Sequence, residues 1–129
     1  MLIDLSDNTI GKDKVFPIDG ILPKEQSEME AFIQGSVLTW ITINPNEPFH
    51  IGILYGDQNK DWAGTPLQRL YDNHINAGKS VDEAYKQAAM NAGTLLKNVL
   101  IGYEGKNFQL DDSEKAKNKT GRNKYSYMK

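Results

Sequence analysis

The chain has 129 residues, 17 acidic and 15 basic side chains, a formal charge of −2, 39% hydrophobic residues and no cysteine. That length fits one domain with a single core. The missing cysteine excludes disulfides, thiolate catalysis and every cysteine-ligated metal centre. No apolar run reaches membrane-spanning length and the first residues are acidic where a signal peptide is cationic, so a cytoplasmic chain without membrane contact is expected. The charge is unevenly placed. All 17 acids stand at or before Glu114 with nine of the basic residues, which leaves −8 on residues 1–114 and +6 on residues 115–129.

In chain order, residues 1–20 suggest an irregular arm with a short strand near Lys14 to Ile18. Pro23 suits a first helical position, acids fill the early turns and Gly35 suits the stop, so a helix is expected over 23–34 with Met29, Phe32 and Ile33 inward. "SVLTWITI" and "PFHIGILY" are rich in β-branched and aromatic residues and flank the turn residues "NPNE". They predict an antiparallel hairpin over 36–43 and 48–55, with Phe49, Ile51, Ile53 and Tyr55 on its core face.

Two helices follow, each with a capping signature. Thr65, Pro66 and Gln68 predict a helix over 66–77, and Ser80 with Glu83 predicts one over 81–100. The second turns Val81, Ala84, Tyr85, Ala88, Ala92, Leu95, Leu96 and Val99 inward and leaves Asn98 in water. A third strand is expected near 99–109, and residues 111–129 read as a basic, mobile tail. The fold class is therefore α+β: a globular domain over 1–110, a small antiparallel sheet and two or three helices.

The densest chemistry lies in "YGDQNKDWAGTPLQRL", residues 55–70. Asp57, Asn59 and Asp61 have the one-three-five spacing of an EF-hand loop, but Trp62 stands where glycine should turn the chain and Gln68 where a bidentate glutamate should close it. No metal and no cofactor are expected. A helix opening at Thr65 would leave N–H donors facing outward, with Arg69 one turn in and Trp62 as a wall, which suits an anion or polar group. The simpler alternative is that Thr65 only caps its own helix.

His50 and His74 are the candidate acid-base groups, each needing a nearby aspartate, though His74 falls on an apolar helix stripe where a core role is commoner. The link "NAGKS" resembles the turn of a helix-turn-helix, yet Asp82 and Glu83 stand where phosphate contacts belong. Nucleic-acid contact is left to Lys115, Lys117, Lys119, Arg122 and Lys124. Trp40 beside His50 offers an aromatic contact patch. The expectation is a small non-catalytic binding or inhibitory accessory protein that meets a protein or a small polar or anionic ligand through Tyr55, Asp57, Asn59, Asp61, Trp62, Thr65 and Arg69, with Trp40 and His50 nearby. A hydrolase using His50 or His74 and a nucleic-acid binder are the alternatives, and a homo-oligomer stays open.

Overall fold

The computed structural model describes residues 1–56, 62–113 and 123–129. The chain is α+β: strands β1 (Leu2–Ile3) and β2 (Thr9–Ile10), a short 3-10 helix (Lys12–Lys14), helices α1 (Pro23–Ile43), α2 (Ile51–Tyr55), α3 (Gln68–Asn76) and α4 (Val81–Ile101), and strands β3 (Asn107–Asp111) and β4 (Lys124–Met128). The sheet order is β2-β1-β3-β4. It is mixed, because β1 runs parallel to β3 while the other two pairs are antiparallel.

The expected hairpin is absent, and each half fails for its own reason. Residues 36–43 continue α1 without a break. The hydroxyls of Ser36, Thr39 and Thr42 donate to the carbonyls of Phe32, Gly35 and Leu38, four residues back, so side chains that compete with a helix are absorbed by it. Met29, Ile33, Val37 and Ile41 form its buried stripe, and this i, i+4 recurrence outweighs β propensity because burial, not intrinsic preference, fixes most helices. Gly35 does not end the helix; the space beside its Cα is open. In the second half only Phe49 is strand-like, exchanging two backbone hydrogen bonds of 2.8 Å with Tyr125. His50 then accepts from the Gly52 amide through Nδ1 at 3.0 Å and caps α2, five residues long.

The other helices match the sequence more closely. Ser80 caps α4 by accepting from the Glu83 amide, and Ala84, Ala88, Ala92, Leu95, Leu96 and Val99 are buried as the periodicity requires. Val81 is exposed instead, and α4 runs on to Ile101, so the third strand begins only at Asn107. The C-terminal stretch is no free tail where it is described: β4 pairs with β3 from Asp111↔Lys124 to Asn107↔Met128. Its inward ring, Tyr125, joins Phe49 and Phe108 in an aromatic cluster that ties sheet to helices; Phe49 and Phe108 meet edge-on at 6.1 Å.

Asn98 was expected in water and is 4% exposed. Its Oδ1 accepts from the Phe16 amide at 3.1 Å and its Nδ2 donates to the Phe16 carbonyl at 2.8 Å. Gln26 accepts from the Ile18 amide and donates to the Phe16 carbonyl, and Asn73 donates to the Asp19 carbonyl. Three side-chain amides, from α1, α3 and α4, thus satisfy an extended segment that belongs to no sheet. Gly20 has φ +82°, a left-handed conformation that favours glycine, and a Cβ there would also displace the Asn73 amide from its bond.

Removing the α4 amide should release this strap. Asn98→Ala strands the Phe16 amide and leaves its carbonyl to Gln26 alone, and is expected to cost about 1–3 kcal/mol in urea unfolding, with faster amide exchange at Phe16. A second outcome concerns alkali. Burial pushes the Tyr125 hydroxyl up to about 12, the Asn123 side chain opposing, and burial likewise pushes Tyr55 to about 12 with Ser36 opposing. The unfolded chain ionises tyrosine near 10, so stability is complete below about pH 10 and falls as pH climbs toward 12. Circular dichroism against pH should show that loss, and Tyr125→Phe should make it shallower.

Candidate functional site

The described part of the junction, Tyr55, Gly56 and residues 62–69, is built differently from its sequence reading. Trp62 is 4% exposed and part of the core with Leu67 and Leu70, so it is no wall for an outside molecule. Thr65 does not cap α3. Its hydroxyl donates to the Trp62 carbonyl at 2.7 Å and accepts from the Leu67 amide at 3.3 Å, closing the turn before the helix. The helix begins at Gln68, and the amides of Gln68, Arg69 and Leu70 already donate to the carbonyls of Thr65, Pro66 and Leu67. The outward-facing donors that an anion would need are therefore spent on 3-10 bonds.

Arg69 is engaged at Nε, while its buried Nη1 has no hydrogen-bond partner among the described residues. Its Nε donates to Glu25 Oε2 at 2.8 Å, joining α3 to the first turn of α1. Glu25 also accepts from the Leu22 amide, and these partners, the backbone one first, hold its carboxyl below the usual range. Tyr55 stacks on Phe32 with centroids 5.4 Å apart. Trp40 donates to the Glu47 carbonyl at 3.4 Å and lines a hollow with Ile43, Ile53 and Leu54, to which the buried His50 does not contribute a wall. Lys124 pairs with Asp111 in the sheet. Asp57, Asn59, Asp61, Lys115, Lys117, Lys119 and Arg122 lie outside the described residues. No three His, Cys, Asp or Glu side chains among the described residues are grouped to hold a metal.

A more complete site surrounds His74. Helix α3 ends in a double turn: the Gly78 amide donates to the Ile75 carbonyl and the Lys79 amide to the His74 carbonyl, with Gly78 at φ +88°. This is a Schellman arrangement, which a left-handed residue makes possible and glycine takes at least cost. Its consequence is chemical. The chain doubles back, and Lys79 Nζ comes to rest 2.8 Å from His74 Nδ1. On the other side of the ring Nε2 lies 2.6 Å from Asn91 Oδ1 on α4.

An ammonium can only donate, so Nδ1 must accept; Nε2 then carries the proton and donates to Asn91. The imidazole, 9% exposed, is held as one tautomer with both nitrogens engaged. The trio borders a hollow of about 430 Å³ that is completed by Phe16, Pro17, Ile18, Asp19, Gln87 and Thr94. One wall is thus the strap held by Asn98, Gln26 and Asn73. Its charges are the Lys79 ammonium and the Asp19 carboxylate, and its remaining polar lining is amide, hydroxyl and backbone.

Sequence reasoning singled out His74 but not Lys79, Asn91 or Gln87. The readable signal for Lys79 was "NAGK" at a helix end, since glycine at the turn predicts that the following residue folds back on the last turn. No protein-family model matches the chain, and neither a curated protein nor a solved structure matches it.

The tautomer is directly measurable. Nitrogen-detected NMR at neutral pH should report the Nε2–H form of His74, with a ring proton slow to exchange. Lys79→Met should leave Nδ1 without its donor and shift that nitrogen alone, whereas Asn91→Leu should speed exchange at Nε2. An Nδ1–H form in the wild type would refute the arrangement.

Proposed function

We propose that this chain is a small non-catalytic binding protein whose ligand is a small polar molecule with an anionic group, taken up in the hollow over His74 and Lys79. The observation that carries the reading is the Lys79 ammonium held 2.8 Å from a buried imidazole at the border of that hollow. An ammonium whose side chain is fixed by one hydrogen bond keeps its other two donors for a ligand and loses less side-chain freedom on binding than a free lysine does. The volume of about 430 Å³ falls within the ordinary range of small-molecule sites.

Catalysis by His74 has weaker support. A general base needs an unshared lone pair within reach of substrate, and here Nδ1 is given to Lys79 while Nε2 faces Asn91. The junction at 55–69 is also a weaker seat for an anion, because its helix-start amides are bonded within the chain. The location moves by one helix from the sequence expectation, from the start of α3 to its end, while the ligand class stays the same.

The test is a ligand-detected and protein-detected NMR screen with phosphate, acetate, succinate and glutamate. A ligand of this site should shift the His74 ring and Thr94 resonances saturably. Lys79→Met should weaken it about tenfold or more, as loss of a charged hydrogen bond does, while leaving thermal stability nearly unchanged. A ligand whose affinity is the same in Lys79→Met, or a panel that leaves His74 unmoved throughout, would overturn the assignment.

A further inference from the structure

A second hollow, of about 490 Å³, lies along the neighbouring face of α4, between that helix, Ile51 of α2 and Tyr125 of β4. Lys86, Met90, Gly93 and Lys97 recur at i, i+4, i+7 and i+11 and so share one stripe of the helix. The two lysines border the groove at its ends, about 16 Å apart along the axis, and between them the helix lines it with Ala89, Met90, Gly93, Leu96 and one polar residue, Thr94. Met90 is 59% exposed, so its side chain is available to a molecule lying in the hollow. Among the described residues neither Lys86 nor Lys97 makes an ion pair, and none of the described lining residues is a carboxylate.

Gly93 gives the groove its depth. It stands near the middle of a 21-residue helix, where glycine weakens the helix relative to alanine. Nothing lies within 4 Å of the position its Cβ would take, so neither close packing nor backbone conformation demands the glycine. What a side chain at 93 would do is fill the hollow.

We propose that this groove binds a free medium-chain aliphatic carboxylate, its hydrocarbon laid over Met90 and Gly93 against Ile51 and Leu96 and its carboxylate met by Lys86 or Lys97. Charge complementarity selects the ligand class. An apolar floor takes up a hydrocarbon chain for the area it removes from water, and an ammonium at either end with no acid between them favours an anionic head over a cationic one. The volume suits one small molecule rather than a lipid surface.

The probe is decanoate below its micellar concentration, followed by the Met90 methyl resonance of the whole chain, with decyltrimethylammonium as the control of equal chain length. Decanoate should give a saturable shift and bind at least tenfold more tightly than the cation. Lys86→Gln with Lys97→Gln should erase that preference while a weaker, charge-blind binding of both probes persists. Gly93→Leu should abolish the saturable shift without lowering the melting temperature, and Gly35→Leu, a glycine of α1 with equally open surroundings, should bind as the wild type does. The proposal is overturned if decanoate does not saturate, if Gly93→Leu binds it unchanged, if the lysine pair leaves the preference intact, or if only anionic vesicles and not monomeric decanoate shift Met90.

Discussion

The backbone of Phe16 to Asp19 has no strand partner, and the way its polar groups are satisfied decides where the other elements can sit. The bonds of Asn98 and of the Ile18 amide are partly buried and those to the Asp19 carbonyl and from Gln26 to Phe16 are exposed, so leaving the partly buried groups unbonded would cost on the order of 1 kcal/mol or more each. Asn98, Gln26 and Asn73 supply the missing partners from three different helices. Each amide reaches only a few ångströms, so one extended segment fixes the mutual positions of α1, α3 and α4. The apolar contacts alone would allow the helices to slide; polar partners with fixed geometry do not. Ile18 of the strap and Ile21 just after it are buried in the same core cluster as Met29 and Leu70.

The same strap is a wall of the His74 hollow, so fold and site share a constraint. Helix α3 is held on one side by Asn73 at the strap and on the other by the Tyr71–Tyr85 stack at 4.5 Å. Between these His74 turns toward Asn91. The Schellman turn then returns Lys79 to the ring. Nothing in this sequence of causes involves residues 62–69, whose described donors are spent on closing a turn. A helix end with a glycine at C′ has made the better site because it redirects a side chain, while a helix start with a threonine in front has used its hydroxyl and amides internally.

How much of this the residues disclosed follows from the range of the interactions involved. Ser80 with Glu83 and the alanine stripe of α4 are local or periodic, and they were readable. The hairpin was misread because eight residues of high β propensity, 36–43, look the same whether they start a strand or finish a helix. The deciding evidence was the four-residue recurrence of Met29, Ile33, Val37 and Ile41, which crosses Gly35 and is visible only if the glycine is not taken as a stop. β4 was missed because Tyr125 and Tyr127 are isolated apolar residues in a polar stretch; their pairing with Leu110 and Phe108 is a long-range fact. Asn98 was placed in water because polarity predicts exposure, whereas a buried amide with two backbone partners is what a strap without a sheet requires. Of the site, His74 was legible as a helix residue and Lys79 was not, since sequence order conceals a contact made by chain reversal.

Helix α4 carries these demands on adjoining faces, with Thr94 bordering both hollows. Ala84, Ala88 and Ala92 are buried against the core. Asn91 and Gln87 face the His74 hollow, and Lys86, Met90, Gly93 and Lys97 line the other. Small residues on the core face let α1 and α3 approach closely, and their cost is only lost apolar area. Gly93 differs, because a glycine inside a helix gives up about 0.5–1 kcal/mol relative to alanine without gaining a contact. In a chain whose net stability is on the order of 5–15 kcal/mol, that is a noticeable concession. A 21-residue helix with a bonded N-cap and an aromatic-backed core can bear it. The rigidity given by the amide strap is thus what permits one face of α4 to stay open.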